Sequence, residues 1–266
     1  MNENNFQEQV AAATSYEELF VPSLFKQWVP LVLSFANVQP GHRVLDVACG
    51  TGILARGAAS MVGPSGYTAG LDIAEGMLEV ARRIAPAIDW KQGSSDSLPF
   101  PDQSFDAVVS QFGLMFFPDR EKSLREMLRV LVPGGQLAVA VFDSLDNIPA
   151  YADEVALLER SAGKKAADAL RAPFVLGQKE GLIQLAKESG ISTVKITTRS
   201  GTAKFPSVRS LVEADLRGWL PVMGVNLEEE KIIQILAEAE QALNAYVNEQ
   251  GQAVFPVSAH IIIGSK

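Results

Sequence analysis

The sequence contains very little cysteine and histidine. Its 266 residues include one cysteine, Cys49, and two histidines, so no disulfide can form within the chain and no His/Cys cluster at metal-ligand spacing exists. A lone cysteine fits a reducing compartment. Asp143 and Asp146 are too few ligands to coordinate a divalent ion, and we therefore expect no metal.

Basic charge is also scarce. The chain has 23 Lys and Arg against 31 Asp and Glu, which gives a formal net charge of −8 and a pI of about 4.9. A phosphate backbone would meet net repulsion. The densest cationic stretch, 120–129, includes Glu121 and Glu126, a mixture typical of a solvated helix face. Nucleic acid is thus not an expected partner.

Long apolar runs are missing as well. No run approaches the length of a membrane span, and the first ten residues, MNENNFQEQV, are polar and lack the basic and apolar regions of a signal peptide. The sequence predicts a cytoplasmic protein without stable membrane insertion.

Short apolar runs that alternate with helical patterns are present from residue 43 onward. Two helices come first, with Pro22 interrupting the pattern between them. Runs as apolar as Ala107–Val109 indicate strands covered on both faces, and alternation with helices indicates parallel βαβ units. We expect an α/β fold with a doubly wound, mostly parallel seven-stranded sheet. Its predicted strands are 43–48, 67–73, 88–91, 105–111, 136–142, 194–198 and 258–264, and later helices are predicted at 149–170, 208–220 and 227–249.

The turn after the first strand is the expected ligand site, because open parallel sheets bind ligands at the carboxyl ends of their strands. This turn lies in the run VLDVACGTG, residues 44–52. Gly50 and Gly52 permit tight turns and close approach of a ligand to the backbone, next to the N-terminus of the following helix. The glycines alone do not name the ligand.

A dinucleotide and a cationic nucleoside are both compatible with these glycines. Gly50, Gly52 and Ala55 satisfy G-x-G-x-x-G/A, and Asp72 lies twenty residues beyond Gly52, where a ribose-binding carboxylate is expected. Asp46, however, would face the pyrophosphate that such a loop cradles. A carboxylate there favours a ligand with a positive charge.

Three motifs resemble those of class I S-adenosylmethionine-dependent methyltransferases, most closely the ubiquinone/menaquinone-biosynthesis type and its small-molecule relatives. They are VLDVACGTG, GLDIAEGML, and the stretch from Gly93 to Gly135 that contains SLPFPDQSFDAVVSQFGLMFFPD and EKSLREMLRVLVPGG. The resemblance covers roughly residues 40 to 145. It implies a Rossmann-like fold, and from the chain length we expect a single methyltransferase domain over 1–266. Within it, 1–38 form an N-terminal helical cap, 40–143 the cofactor-binding core, 144–178 a helical insert that completes the cap, and 179–266 the rest of the sheet with substrate-side helices.

The resemblance also implies a set of cofactor-binding residues. Asp46 would orient the loop and hold the methionyl ammonium, Asp72 would accept both ribose hydroxyls, and Gln111 would lie near the methionyl group. Residues expected to line the methionyl moiety or the adenine are Ala48, Gly50, Thr51, Gly52, Ile73, Met77, Ser94 and Ser95.

One position departs from the family pattern. Relatives commonly place Gly-Asp-Ala before Leu-Pro-Phe, and the Asp receives the adenine amine, but this chain has Gly93–Ser94–Ser95–Asp96. Either Ser94 or Asp96 would contact the adenine.

The acceptor side carries fewer clues. The implied reaction converts S-adenosylmethionine to S-adenosylhomocysteine and methylates an oxygen, nitrogen or carbon of a small molecule. Alignment can accelerate such a displacement without a conspicuous catalytic residue, so no catalytic residue is assigned; His42 and His260 are interpreted as structural. The resemblance suggests Tyr16 near the transferred methyl. Aromatic candidates for the acceptor pocket are Phe116, Phe117, Tyr151 and Trp219.

Two other functions stay open from the sequence. One is an NAD(P)-dependent oxidoreductase, which Asp46 disfavours, and the other is a non-catalytic protein that binds S-adenosylmethionine or its product. The acceptor and the oligomeric state are not determined by the sequence.

Overall fold

A single seven-stranded sheet organises the protein. The computed structural model describes residues 3–266, with side chains from Phe6 onward. The strand order is β3-β2-β1-β4-β5-β7-β6. The strands are β1 Arg43–Val47, β2 Tyr67–Asp72, β3 Asp89–Gln92, β4 Phe105–Gln111, β5 Leu131–Phe142, β6 Lys195–Phe205 and β7 Ala253–Ser265.

The five N-terminal strands are parallel, whereas β7 runs antiparallel between β5 and β6. Consecutive residues of the central strands, such as Val44 and Leu45 or Val108 and Val109, are all fully buried. Both faces of these strands are therefore covered, as their unbroken apolar sequence predicts. The expected doubly wound, mostly parallel seven-stranded sheet is confirmed.

Helices pack against the strands of the sheet. Helix α3 packs on β1 and β2, α4 on β3, and α5 on β4 and β5. The helices are α1 Glu3–Ser15, α2 Val29–Phe35, α3 Ile53–Val62, α4 Glu75–Ile84, α5 Arg120–Val130, α6 Pro149–Ala162, α7 Lys164–Arg171, α8 Lys179–Glu188, α9 Val208–Ala214, α10 Leu220–Val222 and α11 Glu229–Ala242. None of the helices within residues 3–266 is long and apolar enough to cross a membrane.

Several predicted boundaries differ from the observed ones for local reasons. The helix predicted at 149–170 is two helices, because Gly163 adopts a left-handed conformation with φ of 87° between α6 and α7. The helix predicted at 227–249 ends at Ala242. Strands β6 and β7 are longer than predicted, since they pair with each other from Lys195 to Phe205. Most residues of β6 are exposed or half-buried, so the sequence there lacks the apolar pattern that would predict a strand.

Pro22 does not separate two helices. It lies inside a π-helical stretch, Tyr16–Phe25, that continues from α1 and leads through the turn Lys26–Trp28 into α2. In a π-helical turn, some backbone groups lie outside the regular i to i−4 hydrogen-bond pattern of an α-helix. Such a turn accommodates proline, which has no backbone N–H. The N-terminal residues thus form one nearly continuous helical arm over the sheet. The division of the chain into cap, core and insert stays a prediction.

Candidate functional site

Two neighbouring strands end in strained turns at the point where the strand order reverses. β1 lies between β2 and β4, and Ala48 after β1 and Phe112 after β4 have positive φ angles of 59° and 58°. Non-glycine residues adopt this conformation at some energetic cost, and such strain clusters at functional sites. The two turns touch, because a Cβ at Gly113 would lie 2.6 Å from the Cβ of Ala48.

Asp46 holds the start of α3, directly after the glycine loop of residues 48–52. It is 1% exposed at the end of β1, and its Oδ2 accepts a hydrogen bond from the N–H of Ala55 in the first turn of α3 at 3.0 Å. Gly52 precedes this helix and has no side chain to cap it, so a carboxylate from the strand does so instead. The other oxygen of Asp46, Oδ1, is buried and has no hydrogen-bond partner among the described residues. Burial raises the pKa of this carboxyl well above its usual range.

Asp72 occupies the equivalent end of β2 and also holds the loop. Its Oδ2 accepts from the N–H of Gly50 at 2.8 Å, and its Oδ1 accepts from the N–H of Ala74 at 2.9 Å. Burial raises its pKa, and these backbone donors oppose the shift. Each oxygen keeps a second lone pair. The carboxylate can therefore still accept from a pair of hydroxyls.

Both loop glycines have left-handed backbones, and the surroundings of Gly52 leave no room for a side chain. Gly50 and Gly52 have φ angles of 55° and 87°, and a Cβ at Gly52 would lie 2.3 Å from Cη2 of Trp90. Trp90 packs there with Cys49 in a small apolar cluster between β3 and the helices α3 and α4. The thiol of Cys49 is buried, and burial raises its pKa.

The residues predicted at the adenine end have different environments. Ile73 is 68% exposed beside Asp72, whereas Met77 packs against the cluster formed by α1 and α4. Ser94 donates a hydrogen bond to Asp96 at 2.5 Å, and this bond is the main cause that lowers the pKa of Asp96. The hydroxyl of Ser95 points inward to that of Ser123, at 2.9 Å. Ser94 and Asp96 therefore act as one polar unit.

The N-terminal arm covers the glycine loop. Glu17 accepts a hydrogen bond from the hydroxyl of Thr51 at 2.6 Å and forms an ion pair with Arg56 at 2.6 Å, and Arg56 also donates to the carbonyl of Thr51. A Cβ at Gly50 would lie 4.0 Å from the ring of Tyr16. Tyr16 thus lies on the loop, and its proximity to the transferred methyl group stays a prediction. Glu17 and Arg56 are not predictable as site residues from the sequence, because no motif links residues so far apart in the chain.

Gln111 ends β4 under the same arm. Its Nε2 donates to the carbonyl of Phe25 at 3.2 Å, while its buried Oε1 has no partner among the described residues. Phe117 is buried, with its ring 3.3 Å from the Cβ position of Gly113. Tyr151 is buried on α6, in contact with Phe174 rather than with the loop. The rings of Phe116 and Trp219 are tilted against each other near the surface, with 5.1 Å between their centroids.

The two histidines are both held by structural contacts. His42 lies at the other end of β1, where its Nδ1 accepts from the N–H of Gln39. His260 is 2% exposed on β7, with Nδ1 bonded to Thr198 and Nε2 3.0 Å from the carbonyl of Gly177 and 3.1 Å from Asp143. Both ring nitrogens of His260 therefore have partners within the protein.

Two surface grooves lie away from the loop. A groove of about 440 Å³ between the N-terminal arm and β6 includes Trp28 and Arg199, and another of about 620 Å³ between α8 and β6 includes Lys179 and Lys195. In residues 3–266, no group of three or more His, Cys, Asp or Glu side chains is placed to hold a metal ion. Metal independence stays a prediction.

The sheet order and the two carboxylates around a glycine loop define a Rossmann-like methyltransferase fold. The model of the ubiE/COQ5 methyltransferase family matches residues 13–155. The chain belongs to this family, which confirms the resemblance to class I S-adenosylmethionine-dependent methyltransferases.

Curated relatives agree over the N-terminal half. The chain is 42% identical over 130 residues to a ubiquinone/menaquinone biosynthesis C-methyltransferase of Ectopseudomonas mendocina, which covers 47% of this chain and 51% of that protein. It is 41% identical over 145 residues to a demethylmenaquinone methyltransferase of Listeria welshimeri, which covers 52% of this chain and 61% of the relative. The chain thus matches little more than half the length of these relatives.

A solved structure extends the likeness to the whole fold. A protein from Anabaena variabilis, described as a putative methyltransferase from an antibiotic biosynthesis pathway, superimposes with a TM-score of 0.67 at 17% identity. The superposition covers 90% of this chain and 97% of that protein. At this identity the likeness shows the fold alone.

Proposed function

We propose that the protein transfers the methyl group of S-adenosylmethionine to a ring carbon of a small hydroquinone-type acceptor. The observation that carries the cofactor assignment is the buried, unpartnered Oδ1 of Asp46 beside the glycine loop. An unpaired buried carboxylate oxygen is costly. A ligand with an ammonium group at this end of the loop removes that cost, directly or through a water molecule.

The remaining residues fit the same cofactor. Asp72 has a free lone pair on each oxygen for the two ribose hydroxyls, and the exposed side chain of Ile73 offers an apolar face to the adenine. The unit formed by Ser94 and Asp96 would accept from the adenine amine, with Asp96 carrying the charge. When bound, S-adenosylmethionine supplies an activated methyl on a sulfonium. The chain's own part is to orient the two reactants and exclude water.

A nicotinamide dinucleotide fits this site less well. Its pyrophosphate would approach the N-terminus of α3, where Asp46 already provides the negative charge. Two like charges at one helix end repel each other. The chain's membership in a methyltransferase family also favours S-adenosylmethionine over a nicotinamide dinucleotide.

The acceptor class is inferred from the relatives and from the aromatic interior. The curated relatives are named for methylation in ubiquinone and menaquinone biosynthesis, one of them as a C-methyltransferase. Beside the loop lie Phe25, Phe112 and Phe142, with the last two stacked at 4.0 Å between ring centroids. Flat aromatic walls favour a flat ring over a flexible polar acceptor. The acceptor partner is thus a small molecule, and a cytoplasmic location stays a prediction.

Calorimetry and a transfer assay test this function. S-Adenosylhomocysteine should bind with a dissociation constant of about micromolar order, while NADH should not bind; the reverse ranking would contradict the cofactor assignment. Under anaerobic conditions, 1,4-dihydroxynaphthalene and labelled S-adenosylmethionine should yield a labelled methylnaphthalenediol. Tight product binding without transfer to any ring acceptor would instead identify a non-catalytic binding protein.

A further inference from the structure

A continuous series of aromatic rings leads from the glycine loop into the helical insert. The ring of Phe112, directly after β4, stacks on Phe142 at 4.0 Å, and Phe142 contacts Phe174 at 5.4 Å. Phe174 in turn contacts Tyr151 on α6 at 5.2 Å. All four rings are buried. The apolar interior beside the cofactor loop therefore extends as far as α6.

Two buried carboxyl groups lie where this series of rings ends. Glu154, one helical turn after Tyr151, is 0% exposed, and Asp215, at the start of the π-helical stretch Asp215–Trp219, is 3% exposed. Tyr151 and Glu154 are three residues apart on α6 and therefore lie on the same side of this helix. Burial raises the pKa of the Tyr151 hydroxyl, and Asp215 and Glu154 add to this shift.

No other side chain satisfies these carboxyl groups. Both oxygens of Glu154 and the Oδ2 of Asp215 receive no hydrogen bond from a donor in residues 3–266, and the two carboxyl groups contact each other. Two adjacent buried carboxyls cannot both ionise. The pair thus holds at least one proton between the two carboxyl groups, and it retains acceptor positions without donors.

Such an arrangement is unfavourable unless a ligand completes it. A buried acceptor without a donor is costly, and the hydroxyl of Tyr151 donates to none of these three oxygens. A ligand that lies along the aromatic interior would supply the missing donor. A flat ring with a hydrogen-bond donor at its edge has this shape.

We propose that Glu154 and Asp215, beside Tyr151, form the polar end of the acceptor site and accept a hydrogen bond from a hydroxyl group on the acceptor ring. The inference rests on the proposed function, since it takes the methyl acceptor as the ring. A hydroxyl supplies the missing donor without adding charge, so the pair keeps its shared proton. The pair would then determine which ring edge points away from the glycine loop.

Three matched probes test the inference on the protein loaded with S-adenosylhomocysteine, under anaerobic conditions. 1,4-Dihydroxynaphthalene can donate a hydrogen bond, 1,4-dimethoxynaphthalene cannot, and 1-naphthylmethylammonium adds a cation to the same ring. The diol should bind roughly tenfold or more tightly than the dimethoxy compound, the range expected when a buried acceptor gains a donor. Equal affinities, or tightest binding of the ammonium probe, would overturn the assignment to a hydroxyl.

Two amide variants then locate the contact. Glu154→Gln and Asp215→Asn keep the side-chain shape, but each new amide donates to the remaining carboxylate and so occupies the acceptor that the hydroxyl would use. Both should reduce the preference for the diol to about threefold or less. Glu213→Gln serves as the control, because Glu213 lies two residues from Asp215 on the surface and pairs with Arg217. It should retain the preference.

The outcomes separate the inference from the function on which it rests. If the wild-type protein binds S-adenosylhomocysteine but neither binds nor methylates the diol, the proposed acceptor class fails, and the inference fails with it. If the wild-type protein methylates the diol and both amide variants keep the full preference, the inference alone fails. Unchanged affinity for S-adenosylhomocysteine checks that each variant is folded, and either variant alone suffices for the test.

Discussion

Asp72 and Gly50 are joined across two strand ends: the carboxylate oxygen Oδ2 accepts a hydrogen bond from the N–H of Gly50 at 2.8 Å. The same carboxylate is the proposed partner of the ribose. One side chain therefore shapes the glycine loop and also contacts the ligand that the loop receives.

Asp72→Ala should abolish most binding of S-adenosylhomocysteine. The variant loses the proposed ribose contacts and the restraint on Gly50, so we expect a loss of affinity of about a hundredfold or more, measured by calorimetry. Asp106→Asn is the control, since Asp106 likewise accepts a backbone N–H, that of Arg43, at the opposite end of the sheet. Affinity retained within about threefold in Asp72→Ala would show that the ribose binds elsewhere.

Glu17→Gln should speed the release of S-adenosylhomocysteine. Glu17 ties the N-terminal arm to the loop through Thr51 and Arg56, and both contacts are charge-assisted hydrogen bonds in a half-buried position. We expect a dissociation rate roughly three- to thirtyfold faster, measured by stopped-flow fluorescence. The neighbouring and exposed Glu18 provides the control variant Glu18→Gln. Equal release rates in both variants would mean that the arm does not retain the ligand.

Gly52→Ala should destabilise the fold more than Gly134→Ala does. Both glycines have left-handed backbones, with φ of 87° and 81°, but a Cβ at Gly52 meets Trp90 at 2.3 Å while a Cβ at Gly134 meets no atom within 4 Å. The common backbone strain should cost about 1–2 kcal/mol in each, and the clash about 1–3 kcal/mol more at Gly52. Urea unfolding measures both free energies. Equal losses would show that Trp90 can move aside freely.

The buried acid pair should make stability depend on pH. Burial raises the pKa of Asp215 from 3.8 to about 8, and the groups that face it are Glu154 and Tyr151. A pKa raised on folding stabilises the protein below the unfolded value, and this contribution is lost as the pH rises through the folded value. Unfolding free energy should therefore fall between about pH 4 and pH 9, and Asp215→Asn should flatten the fall. An identical pH profile in the variant would show that both acids ionise freely.

The sequence predicts the sheet and the cofactor end of the site because both depend on local pattern. Apolar runs such as that of β4 are visible in one stretch of chain, and so is the spacing of Asp46, Gly50 and Gly52. The break at Gly163 was not predicted, since one glycine within a helical pattern is compatible with either outcome.

The acceptor side could not be predicted in the same way. Glu154 and Asp215 are 61 positions apart, and each resembles an ordinary surface acid on an amphipathic helix. Only the packing of α6 against the helices that follow β6 buries them together. The contact of Glu17 with Arg56 has the same origin, because the turn geometry around Pro22 decides where the N-terminal arm lies.

The burial of Cys49 beneath Trp90 has a practical consequence for experiments on the N-terminal arm. Because its thiol is inaccessible and its pKa is raised, thiol reagents should leave the folded wild-type protein unlabelled. A cysteine introduced at an exposed position, such as Glu18, would then be the sole reactive thiol in the chain. A fluorophore attached there would report directly on any movement of the arm over the glycine loop.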